Sequence, residues 1–85
     1  MEQVRIRDEF IKLGQAMKLA GFVDSGVEAK IVIQNGEVMV NGEVDERRGR
    51  KLVAGDVVSF QGKEFTIINY HPGRIYYIQR PRQYI

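Results

Sequence analysis

Residues 25–42 read SGVEAKIVIQNGEVMVNG, and a change of hydrophobic period inside this stretch decides the fold. Ser25 followed three residues later by Glu28 is a capping box, in which each side chain satisfies a backbone N–H at the other's position. The helix it opens runs to about Asn35, where Gly36 is placed to end it. Val27 and Ile31 fall on one side of that helix, and Ala29, Val32 and Ile33 on another, so it is expected to pack on two sides. Lys30 and Gln34, four apart, are neighbours on its polar remainder. Beyond Gly36 the period drops to two. Val38–Val40 and Glu43–Asp45 flank Asn41-Gly42, a dipeptide that supplies the positive φ of a two-residue hairpin turn.

Upstream, residues 8–20 read as a first helix. Phe10, Leu13, Ala16, Met17 and Ala20 share one side, while Asp8, Lys12 and Gln15 fall on the other, and Gly21 is a natural stop. Downstream, Ala54-Gly55-Asp56 turns into a strand at Val57–Phe60, and Gln61-Gly62-Lys63 turns into another over Glu64–Tyr70. His71-Pro72-Gly73 marks a further turn and Arg74–Gln79 a returning strand. The last six residues, 80–85, read as a basic tail. The order is two N-terminal helices followed by a small antiparallel β-sheet, an α+β domain. Nothing repeats at a fixed period.

Eighty-five residues, 44% hydrophobic and 28% charged, are expected to form one globular domain over 1–85. The absence of cysteine excludes a disulfide framework and a thiolate metal site. No apolar run approaches the roughly 18 residues of a membrane span. MEQVRIRDEF lacks the apolar core of a signal peptide, so the expected location is the cytoplasm and no membrane partner is expected. Net charge is only +2, but it is unevenly spread. Residues 1–46 carry five Lys/Arg against nine Asp/Glu, and residues 47–85 carry eight against two. Such a division points to a basic surface with a polyanionic partner.

Catalytic chemistry finds little support. The single histidine, His71, sits in a turn with no second His or Cys to share a metal. Ser25 and Ser59 have no neighbour that would activate a nucleophile. No glycine-rich phosphate loop joins a strand to a helix. Asp45 and Glu46 adjoin four cations and read better as charge balance than as a general acid/base pair, and Glu43, Asp45 and Glu46 are a weak candidate for a cation site that no spacing demands. The expectation is therefore a protein that is not an enzyme, with no cofactor and no small-molecule substrate. The strongest chemical feature is Arg47-Arg48-Gly49-Arg50-Lys51. Arginine suits phosphate because its planar fork donates two parallel hydrogen bonds to one anion, and like charges this close repel unless something neutralises them. Further on, Arg74, Arg80 and Arg82 interleave with Tyr76, Tyr77 and Tyr84, a mixture able to pair phosphates and stack on bases.

Taken together, these residues resemble the RNA-binding S-four domain family, the domain named after the fourth protein of the small ribosomal subunit. Lys12-Leu13 opens the first helix and Gly21 follows it. Ser25-x-x-Glu28-Ala29-Lys30 opens the second, Ile33-x-x-Gly36-x-Val38-x-Val40-Asn41-Gly42 spans the junction, and Ala54-Gly55-Asp56-Val57-Val58 ends the pattern. The shared pattern covers about residues 8–60, leaving 61–79 as an extra hairpin, and the chain is similar to the small stand-alone bacterial YaaA-like group. The resemblance implies the αL RNA-binding motif, with RNA lying across the two helices and the adjoining hairpin. Carried over by position, it implies contacts from Lys12, Gln15, Ser25, Lys30, Gln34, Asn35 and Asn41. The chain departs from many members at Gly26, where they have arginine, and at Glu43, where they have a basic residue. Arg47, Arg48, Arg50 and Lys51 are candidates to replace what those positions lose. The partner implied is structured RNA, ribosomal RNA or a ribosomal particle, bound by a monomer. A protein-interaction module of a larger assembly and a DNA-binding protein are the rival readings. The RNA reading requires the 47–51 loop to share a surface with Lys12 and Lys30.

Overall fold

The structure, a computed structural model, describes residues 1–69. The expected turn at 71–73, strand at 74–79 and basic tail at 80–85 lie outside the described residues. Strands β1 (Glu2–Ile6) and β2 (Ile11–Lys12) precede helices α1 (Leu13–Leu19) and α2 (Gly26–Gln34). Strands β3 (Val38–Val40), β4 (Glu43–Val44), β5 (Lys51–Leu52), β6 (Val57–Phe60) and β7 (Lys63–Asn69) follow. The main sheet has the order β1-β7-β6-β3-β4, and β2 pairs with β5 in a separate two-stranded ribbon.

One face of the main sheet is apolar by simple alternation. Val4 and Ile6 of β1, Val38 and Val40 of β3, Val58 and Phe60 of β6, and Phe65 and Ile67 of β7 are all buried, and the residues between them are not. Leu13, Ala16 and Met17 of α1 and Ala29 and Ile33 of α2 complete the same core, with Leu52 from the ribbon and Phe22 from the interhelix turn. The Phe22 ring meets Phe65 edge-on at 5.1 Å between centroids.

Both helices stop as the glycines require. Gly21 (φ 77°) and Gly36 (φ 78°) take the left-handed conformation. Gly21 N–H donates to Lys18 and Phe22 N–H to Met17; Gly36 N–H donates to Ile33 and Glu37 N–H to Val32. These are paired Schellman closures that use up the last helical carbonyls. The hairpin at Asn41 (φ 54°) and Gly42 (φ 87°) is as expected.

Four expectations are corrected. The sheet is mixed, because β1 runs parallel to β7 in the register Glu2↔Phe65 to Ile6↔Asn69. The first helix begins at Leu13, not residue 8, and a strand precedes it. Ile11 and Lys12 are extended instead, paired with Leu52 and Lys51, which leaves Phe10 exposed where the helical spacing would have buried it. Finally, α2 packs on one side only: Ala29 and Ile33 are buried, whereas Val27 is 70% and Ile31 53% exposed.

Candidate functional site

The ribbon of β2 and β5 fixes the relation between the helices and the basic loop. Helix α1 has no side-chain cap. Its first two amides are satisfied by the loop: Leu13 N–H donates to the Arg50 carbonyl at 2.8 Å and Gly14 N–H to the Arg48 carbonyl at 3.0 Å. A helix start leaves such N–H groups without intrahelical partners, so the loop 47–51 is held against α1 by a need of the helix backbone itself. Gly14 allows the approach. A Cβ at this position would lie 2.7 Å from Arg48 Cγ and 3.4 Å from Cδ, so the arginine stem crosses the helix where a side chain would stand.

The result is a groove of about 360 Å³ lined by Lys12, Gly14, Gln15, Lys18, Gly26, Arg48 and Gly49. It draws on α1, on the first turn of α2 and on the basic loop. No carboxylate lines it, and Lys12, Lys18 and Arg48 make no ion pair among the described residues. Lys51 lies directly across from Lys12 in the ribbon, a like-charge cross-strand pair that is unfavourable unless an anion neutralises it. On α2, Lys30 and Gln34 stand about one and two helical turns beyond Gly26 and are not among the residues that line the groove.

The other loop arginines are engaged differently. Asp45, only 6% exposed, accepts from Arg47 Nε at 3.0 Å, Arg47 Nη2 at 2.8 Å, the Arg47 backbone N–H at 2.9 Å and Arg50 Nη1 at 2.6 Å. The Arg47 side-chain hydrogen bond, aided by its backbone bond and by Arg50, holds the Asp45 carboxyl well below the usual carboxylate range despite burial. The same bond raises the Arg47 guanidinium. Because both Asp45 oxygens are taken by arginines, the weak cation site at Glu43, Asp45 and Glu46 is withdrawn; no metal-holding group of acids or histidines occurs among the described residues.

Three residues carried over from the resemblance have structural partners. Ser25 Oγ accepts from Glu28 N–H at 3.1 Å, and Glu28 answers by accepting from Asp24 N–H at 2.8 Å, one residue earlier than the simple capping box expects. Asn41 lies at the hairpin tip, away from the groove lining; its Oδ1 accepts from Val57 N–H and its Nδ2 donates to Asp56. Asn35 Nδ2 reaches Glu37 at 3.5 Å. Lys12, Gln15 and Arg48 are thus brought into one groove, with Lys51 across the ribbon from Lys12 and Lys30 outside the lining, while Arg47 and Arg50 turn to Asp45. Lys18 and Gly14 were missed as site residues. Lys18 is three residues from Gln15 on the same helix, so its place on that face was available from helical spacing alone.

Residues 4–68 match the family model described as S4 domain. The chain is 48% identical over 67 residues to "Probable ribosome maturation protein RlbA" of Bacillus subtilis (strain 168), covering 78% of this chain and 94% of that protein. It is 41% identical over 58 residues to "Putative RNA-binding protein YbcJ" of Escherichia coli (strain K12), covering 68% and 83%. The solution structure of YbcJ from E. coli, said to reveal an alfaL motif involved in RNA-binding, matches with a TM-score of 0.64 at 36% identity, covering 80% of this chain and 87% of that one.

Proposed function

The chain belongs to the S4 domain family, and from that premise we propose that it is a non-catalytic protein binding structured RNA, with ribosomal RNA or a ribosomal particle as partner. The observation that carries this reading is the groove in which Lys12, Lys18 and Arg48 converge without a carboxylate, on a face shared by both helices and the basic loop. Three cations held on rigid backbone fit a ribose–phosphate chain, because phosphate contacts supply most of the affinity and are strengthened when the donors are fixed in advance. The relatives' names, a ribosome maturation protein and an RNA-binding protein, point the same way. Recognition rests on shape and charge, since structured RNA hides its base edges in a deep, narrow groove.

In this reading Lys12, Lys18, Lys30, Arg48 and Lys51 meet phosphates, and Gln15 and Gln34 hydrogen-bond the backbone between them. Arg47 and Arg50 act mainly by shaping the loop. If the five cations engage, log affinity should fall against log salt with a slope of about −4. The test is a gel shift with total ribosomal RNA and with an unrelated duplex DNA, each over a salt series. Preference for the RNA is expected, and Lys12→Ala with Arg48→Ala should make the slope shallower by about 1.5. Equal binding of the DNA, or an unchanged slope in the double variant, would refute the reading.

A further inference from the structure

We propose that the outward face of the β2–β5 ribbon is a seat for one unpaired nucleobase, with Phe10 as its stacking surface. This rests on the RNA-binding reading and adds to it the kind of RNA that is recognised.

Alternation gives the ribbon two faces. Ile11 and Leu52 pair across the ribbon and point into the core, so their neighbours in sequence point out. Those neighbours are Phe10, Lys12, Lys51 and Val53. Phe10 is 39% and Val53 48% exposed, and one further step of the same register sets them opposite each other. The ribbon therefore shows water an apolar half, Phe10 and Val53, and a cationic half, Lys12 and Lys51. Lys51 Nζ stands 4.8 Å from the Phe10 ring centroid, which joins the two halves. Lys12 also lines the groove beside Arg48, so the apolar half continues the cationic surface.

Phe10 keeps 39% of its surface in water, which leaves part of its ring open to a ligand. Among the described residues, Phe22 meets Phe60 and Phe65, whereas the ring contact of Phe10 is with Lys51. An aromatic face bordered by cations and adjoining a phosphate-sized groove is the chemistry by which proteins hold a splayed-out base. A paired base inside a duplex has no free face to offer, so the surface selects RNA with a loop, bulge or end at this point.

The experiment compares two synthetic RNAs with equal numbers of phosphates, a hairpin with an unpaired uridine loop and a fully paired duplex. Each is titrated with the full chain and with Phe10→Leu. The expected result is a roughly tenfold to hundredfold loss for the hairpin in Phe10→Leu, with duplex binding unchanged. The chain contains no tryptophan, so Phe10→Trp introduces a single reporter, and its emission should be quenched by the hairpin and not by the duplex. If Phe10→Leu weakens both RNAs alike, or if the tryptophan emission ignores a bound hairpin, the seat is refuted and the phosphate reading stands. If the parent chain binds the duplex as tightly as the hairpin, the seat is likewise refuted.

Discussion

A single methyl group at position 14 is enough to test how the groove is built. Gly14 has no positive φ, so alanine suits its backbone and would even favour the helix by as much as about 1 kcal/mol. Yet its Cβ would collide with the Arg48 stem at 2.7 Å. Gly14→Ala is therefore expected to keep the fold while displacing Arg48, reducing RNA affinity as much as Arg48→Ala does. A double-mutant cycle measures this, and the two losses should fail to add because they remove one contact. Sequence reading reached some positions at this scale. Ser25, Gly36 and Asn41 were legible because capping and turn geometry depend on three or four consecutive residues. The partnership of Gly14 with Arg48 was not, since 34 positions separate the two and only tertiary folding joins them.

Among the elements, the loop between β4 and β5 is the one whose order has to be explained. Its cations would repel one another, and Asp45 resolves this by accepting from two of them while almost fully buried. Arg50 N–H closes the turn on the Arg47 carbonyl at 3.1 Å, and the carbonyls of Arg48 and Arg50 then meet α1. Asp45→Asn keeps the shape and removes the charge, and it should destabilise the domain by about 1–3 kcal/mol in urea unfolding. The pH dependence has a definite sign. The folded carboxyl lies below the 3.8 ordinary for aspartate, so its contribution is fully present above that value and is lost as the pH falls through and below it. The stability gap between parent and Asp45→Asn should accordingly be constant at neutral pH and shrink below about pH 4. A gap that widened on acidification would contradict the clasp. The sequence pointed to this region as a basic run for contact with a polyanion; it could not tell which acid faces inward, nor that Arg47 and Arg50 would turn to it. The first helix was read too long for a related reason. Phe10 and Leu13 have helical spacing, but the hydrogen bonds of Ile11 and Lys12 go to a strand some 40 residues later.

For the molecule as a whole, the parallel pairing of β1 with β7 closes the sheet. Val4 and Ile6 are 4% and 6% exposed, and Asn69 Nδ2 donates to the Asp8 carbonyl at the open end of the pair. Ile6→Ala should cost about 3 kcal/mol through the cavity it leaves. In a domain of this size that lowers the melting temperature by on the order of 10 °C, measured by circular dichroism. The slope of RNA affinity against salt should not change, because none of the five cations proposed to meet phosphate lies in β1 or β7. The polar–apolar alternation of Gln3-Val4-Arg5-Ile6 is visible in the sequence, but a parallel partner has no local turn to announce it, and both helices intervene. The same pairing dictates the order of events during synthesis. Glu2 is paired with Phe65, so β1 must wait for β7 to be made before it can pair. At typical elongation rates of about 5–20 residues per second, that wait lasts several seconds. Throughout it, Val4 and Ile6 lack the strand that they pair with among the described residues, and the nascent chain is most open to chaperones before β7 arrives.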